Sequence, residues 1–149
     1  MIIEKLQSLG LSLPDAPKPV AAYIPAKRDG NIIYVSGQLP VRSGELMLTG
    51  IIDSDDKVAE AQKAIGQCFL NALAAVTSIT PLENIKGVLR LCAFVASSPD
   101  FTSQHLVANG ASELALSLFG ESGRHSRSAV GVASLPLNAA VELEVQFLV

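Results

Sequence analysis

The sequence has no tryptophan, two cysteines and two histidines, and only 17% of its 149 residues are charged, where about 25% is usual. Each shortage rules something out. Cys68 and Cys92 are too few for a disulfide framework and lack metal-type spacing, so two reduced thiols in a soluble cytoplasmic protein are expected. His105 and His125 show no metal-ligand pattern either. With 11 Lys and Arg against 14 Asp and Glu, the net charge is −3, which argues against general affinity for nucleic acid. The uncharged stretch from Ala64 to Ile79 is broken by Gln67, Asn71, Thr77 and Ser78, and a membrane span needs roughly 20 mostly apolar residues. Glu4 and Lys5 interrupt the start of the chain, so no signal-peptide apolar region is expected. There is no Walker loop, dinucleotide fingerprint or nucleophile elbow.

What the chain does have is apolar residues, at 49% of the total. That content excludes disorder, and the length fits a single domain over 1–149 with its own core, residues 1–20 being a helix and lead-in. Low charge also implies that part of the outer surface is covered, most simply by other subunits.

Ile2 to Leu9 reads as a helix stopped by Gly10, and Pro14, Pro17 and Pro19 hold the next stretch extended. Ala21 to Ala26 and Asn31 to Leu39 read as strands about an Asp29-Gly30 turn. Arg42 to Glu45 makes a second turn, and Ile51 and Ile52 end the meander. A long helix is predicted from Asp55 to Ile79, capped by Ser54 or Asp53. Its apolar seam runs through Val58, Ala61, Ile65, Cys68, Ala72, Val76 and Ile79. A central strand, Val88 to Ala96, precedes a second helix, Phe101 to Phe119, with a seam through Leu106, Gly110, Leu114 and Leu118. Arg127 to Ser134 and Ala139 to Leu148 are the last strands. The order predicts an α+β domain, a mixed sheet with helices on one face.

The last two strands, joined by Leu135 to Asn138, read as a hairpin. One parity then gathers Ser128, Val130, Val132 and Ser134 with Val141, Leu143, Val145 and Phe147, an apolar face expected under the helices. The other gathers Arg127, Ala129, Gly131 and Ala133 with Ala140, Glu142, Glu144 and Gln146. Its small residues suggest close approach of a neighbouring subunit or ligand. On that face Arg127 and Glu142 would stand roughly 13 Å apart, too far for a salt bridge.

Other signals are weaker. Arg124 and Arg127 flank His125, a possible anion-binding spot, and two histidines would suit acid–base ribonuclease chemistry. Gly120 to Gly123 is better explained as a helix end than as an RNA-binding glycine loop. Cys68 sits on the helix seam and reads as core. In Ser36-Gly37-Gln38-Leu39-Pro40, the glycine lets the strand bend and present a backbone amide or carbonyl to a ligand.

Three segments together resemble the RidA (YjgF) family of enamine/imine deaminases, also called L-PSP endoribonucleases. They are Ile33 to Pro40, Val88 to Val95 with Asp100-Phe101, and Arg127 to Pro136 with Val141-Glu-Leu-Glu144. The N-terminal helix and a longer 101–126 region place the chain in a longer subgroup. The resemblance implies a chorismate-mutase-like fold and a homotrimer with sites between subunits. It implies hydrolysis of 2-imino or enamine acids, as by a 2-iminobutanoate/2-iminopropanoate deaminase, with no metal or organic cofactor. By the same resemblance Arg127 grips the substrate carboxylate, Glu142 orients the water, and Tyr23, Ser36, Gly37 and Asn109 line the pocket. Ala129, whose backbone amide would help fix the carboxylate, stands where many members carry cysteine, which changes pocket size and polarity. Alternatives are a non-catalytic keto-acid binding protein and an RNA-cleaving translation inhibitor, the latter disfavoured by the charge balance.

Overall fold

The computed structural model describes residues 1–18 and 21–149. Pro19, one of the prolines expected to extend the lead-in, lies outside the described residues. In chain order the elements are α1 (Ile2–Ser8), β1 (Ala26–Asp29), β2 (Ile32–Gln38), β3 (Val41–Arg42), β4 (Glu45–Leu46) and α2 (Val58–Val76). They continue with β5 (Gly87–Ala96), α3 (Gln104–Phe119), β6 (Ser126–Val132) and β7 (Val141–Leu148). Five strands form one mixed sheet, ordered β1-β2-β7-β5-β6. Only the β5–β6 pair is parallel. Helices α2 and α3 lie side by side on one face, so the chain is the α+β domain that its order of elements predicts.

Burial follows the seams, with shifts. In α2 the face carrying Ala61, Ile65, Cys68, Ala72 and Val76 is fully buried. This helix ends before Ile79 because the Thr77 and Ser78 hydroxyls bond to the Ala74 and Ala75 carbonyls at 2.6 and 2.7 Å. Neither predicted cap acts as one: Asp53 pairs with Lys57 at 2.7 Å, and the Ser54 hydroxyl turns to Asp56. In α3 the buried residues are Val107, Ala108, Ala111, Ala115 and Leu118. The expected Leu106-Gly110-Leu114 stripe flanks that face, and Gln62 of α2 donates to the Leu106 carbonyl at 2.8 Å. The first strand starts at Ala26 rather than Ala21. Residues 21–23 bend instead, and the Pro25 carbonyl accepts the Ser36 amide.

The helices meet where Gly110 leaves no side chain. A methyl group there would come within 2.8 Å of the Gln62 Cα and collide with its carbonyl oxygen. Gly110→Ala should therefore lose the about 1–3 kcal/mol typical of overpacking, less the roughly 1 kcal/mol that alanine gains in a helix. A lower urea midpoint is expected, and an unchanged one would mean that the helices separate at little cost.

The expected terminal hairpin does not form. β5 inserts between β6 and β7, so these two strands never pair. The faces of β7 fall as predicted, with Val141, Leu143, Val145 and Phe147 buried beneath the helices. Those of β6 are reversed. Arg127, Ala129 and Gly131 align with Leu91, Ala93 and Val95 on the helix-covered face, and Ser128, Val130 and Val132 align with Cys92, Phe94 and Ala96. The small residues of β6 thus serve the fold itself. Ala129 packs against the core, and a side chain at Gly131 would meet Ser97 and Gln104 within 2.8 Å.

Candidate functional site

The face of the sheet without helices carries four of the seven predicted site residues. Alternation along β7 places Glu142 and Glu144 there, opposite Phe94 and Cys92 of β5. On the other side, β2 slips register between Val35 and Gln38, which brings Gly37 under Glu142. A side chain at Gly37 would strike the Glu142 carboxylate, so the glycine is what lets that acid lie over the strand. The Ser36 hydroxyl donates to the Ile24 carbonyl at 2.7 Å and ties down the bend that carries Tyr23. Tyr23, Tyr34, Ser36, Lys27 and Glu144 line a groove of about 580 Å³ on this face. Half-burial, with Glu144 adding repulsion, raises the Glu142 carboxyl above its ordinary value. A raised carboxyl is a stronger base once ionised, which suits abstraction of a proton from water.

Arg127, Asn109 and Ala129 form a second group on the opposite face, at the β6 edge beside α3. The Arg127 Nη1 donates to Asn109 Oδ1 at 2.9 Å and to Ser112 Oγ at 3.0 Å. Its Nη2 donates to the His105 carbonyl at 3.1 Å. These acceptors stand at 105, 109 and 112, steps of four and three that mark one stripe of α3. That spacing points to Ser112 only once Arg127 is known to lie beside α3. His125 does not make the anion-binding spot expected with Arg124: its ring bonds to Ser112 and Gly123, and Arg124 pairs with Glu121. Gly120, with φ of +61°, ends α3, as its reading as a helix stop predicts.

Arg127 and Glu142 thus do not share a face. Tyr23, Ser36, Gly37 and Glu142 come together on the open side, and Arg127, Asn109 and Ala129 on the helix side. Cys68 is wholly buried, and burial pushes its thiol well up, which fits core and not a nucleophile. Among the described residues, no three of His, Cys, Asp and Glu are grouped to hold a metal ion, and no helix is long and apolar enough to cross a membrane.

Known proteins are similar to this chain over nearly its whole length. Protein TCP17 of Trypanosoma cruzi is 43% identical, over 96% of this chain and 91% of its own length. The 2-iminobutanoate/2-iminopropanoate deaminase of Dermatophagoides farinae is 35% identical, over 90% of this chain and 91% of its own. The crystal structure of Atu1372 from Agrobacterium tumefaciens, a protein with unknown function, is 47% identical. It superposes with a TM-score of 0.91, covering 99% of this chain and 92% of that one. Residues 4–147 match the family described as "YjgF/chorismate mutase-like, putative endoribonuclease". The predicted resemblance, the mixed sheet with one helical face and this end-to-end match agree: the chain belongs to the YjgF (RidA) family.

Proposed function

We propose that this protein hydrolyses reactive 2-imino and enamine acids to 2-keto acids and ammonia, in clefts between the subunits of a homotrimer. The observation that carries the reading is the separation of Arg127 and Glu142 onto opposite faces of one sheet. Two groups so placed can surround one small molecule only if each comes from a different chain. Arg127 lies on the edge strand β6, where a neighbour can reach it. Glu142 lies on a face whose exposed residues include Tyr34 and Val130, apolar surface of the kind that subunits cover.

In such a cleft Arg127 of one subunit holds the substrate carboxylate through paired N–H bonds. The backbone at Gly37 and Ala129, with Tyr23, Ser36 and Asn109, shapes the pocket. Glu142 of the next subunit takes a proton from water as its oxygen adds to the C=N carbon. It returns the proton to nitrogen, then takes the new hydroxyl's proton and passes it to the amine, so that the C=O bond forms as the C–N bond breaks and ammonia leaves. The chemistry uses only these side chains. The name of the Dermatophagoides farinae relative supports this substrate class.

The test generates an imino acid in situ with an amino-acid oxidase and follows its disappearance and ammonia release, with light scattering on the same sample. Faster decay by a trimer is expected. Keto-acid binding without faster ammonia release would favour a binding protein, and a stable monomer would remove the shared site.

A further inference from the structure

Arg127 has no carboxylate partner among the described residues; neutral groups of α3 fix its position. Of its acceptors, the His105 carbonyl is fixed in the helix backbone, and Asn109 accepts through its amide oxygen. The third, the Ser112 hydroxyl, can rotate. His125 stops it. The Ser112 Oγ lies 2.8 Å from His125 Nε2, and His125 Nδ1 lies 2.6 Å from the Gly123 carbonyl oxygen. That carbonyl can only accept, so Nδ1 carries the proton. In the neutral ring Nε2 is then an acceptor, and the Ser112 hydroxyl donates to it. With its proton committed, the Ser112 oxygen turns its lone pairs to Arg127.

The donors therefore run in one direction, from Arg127 to Ser112, from Ser112 to His125, and from His125 to Gly123. Aligned donors of this kind polarise one another. Gly123 belongs to the device as well. A side chain there would collide with the Ala115 carbonyl, so only glycine lets the chain lie on α3 and aim its own carbonyl at His125. Of the five guanidinium N–H groups, Nη1 uses two and Nη2 one on α3. The Nε–H and one Nη2–H are left, on neighbouring nitrogens, and such a pair matches the two oxygens of a carboxylate.

We propose that Ser112 and His125 are positioning residues that lock the Arg127 guanidinium, keeping its Nε–Nη2 edge free and pointed at the incoming carboxylate. The proposal rests on the reading of Arg127 as the carboxylate grip, and it adds what sets the angle of that grip.

The experiment compares wild type, Ser112→Ala, Ser112→Thr and His125→Phe by two readouts. One is arginine-selective 15N NMR, in which a locked guanidinium gives separate, slowly averaging Nη signals and needs no turnover to be seen. The other is the Kd for pyruvate. In wild type the Arg127 signals should be resolved. In Ser112→Ala and His125→Phe they should merge, with pyruvate binding weakened roughly tenfold, as for loss of one hydrogen bond to a charged group. Ser112→Thr keeps the hydroxyl and should restore both. Unchanged Arg127 signals and pyruvate affinity in Ser112→Ala and His125→Phe would overturn the proposal. Merged signals in Ser112→Ala, with a wild type that never binds pyruvate, would support the lock and overturn the carboxylate grip.

Discussion

Glu142→Gln is expected to bind 2-keto acids almost as wild type does and to slow imine hydrolysis by about 10²–10⁴-fold, the usual contribution of a general base. The amide fills the same space over Gly37 but cannot take a proton from water. Keto-acid binding is spared because the proposed cleft assigns the carboxylate grip to Arg127. The pH profile gives a second check. Only ionised Glu142 can act as base, so activity should fall as pH drops through its raised pKa. Because Glu144 contributes to that rise, Glu144→Gln should move the fall to lower pH. Unchanged turnover in folded Glu142→Gln would mean that water is activated elsewhere.

Arg127→Lys should lose most activity while keeping the positive charge. An ammonium is a compact point charge, whereas the planar guanidinium reaches Asn109, Ser112 and the His105 carbonyl together and still offers two parallel N–H groups. Pyruvate should bind the variant far more weakly. Equal pyruvate affinity would remove the grip, and a thermal melt would separate that outcome from misfolding. The two inactive variants should also rescue each other. In a trimer assembled from an equal mixture, about a quarter of the shared clefts combine an intact Arg127 with an intact Glu142. Activity should return to that level after joint refolding. No recovery would mean that both residues act from the same chain.

Much of the fold was legible because local patterns decide it. The α2 seam, the β2 run and the β7 alternation each commit residues to a face whatever their neighbours are. The partner of β6 was not legible. A loop of four residues between two strands invites a hairpin, and nothing local in Arg127 to Val132 reveals that β5 takes the place beside it. Since a strand alternates with a period of two, that one pairing decided the sides. Val130, expected in the core, is instead 42% exposed, and Ala129 packs inward. The site residues were named through resemblance, but their division between two faces follows from pairing alone. Ser112 escaped notice because its role depends on a ring from the following strand's entry, and the spacing 105, 109, 112 acquires meaning only once Arg127 is known to lie beside it.

The central position of β7 also governs how the sheet is built. It pairs with β2 from Ile32↔Leu148 to Gln38↔Leu143 and with β5 along its other edge. Before it docks, β1–β2 and β5–β6 are isolated two-stranded units, each marginal in water. The last strand in sequence is thus the keystone that joins them, and its docking closes a loop reaching back to Ile32. Such distant closures make folding slow compared with helical domains of similar size. During synthesis the waiting chain presents two open strand edges, rich in Ile33, Val35, Leu91 and Val95, which are templates for pairing with the wrong molecule. Unfolding should be correspondingly cooperative, since detaching β7 divides the sheet in two.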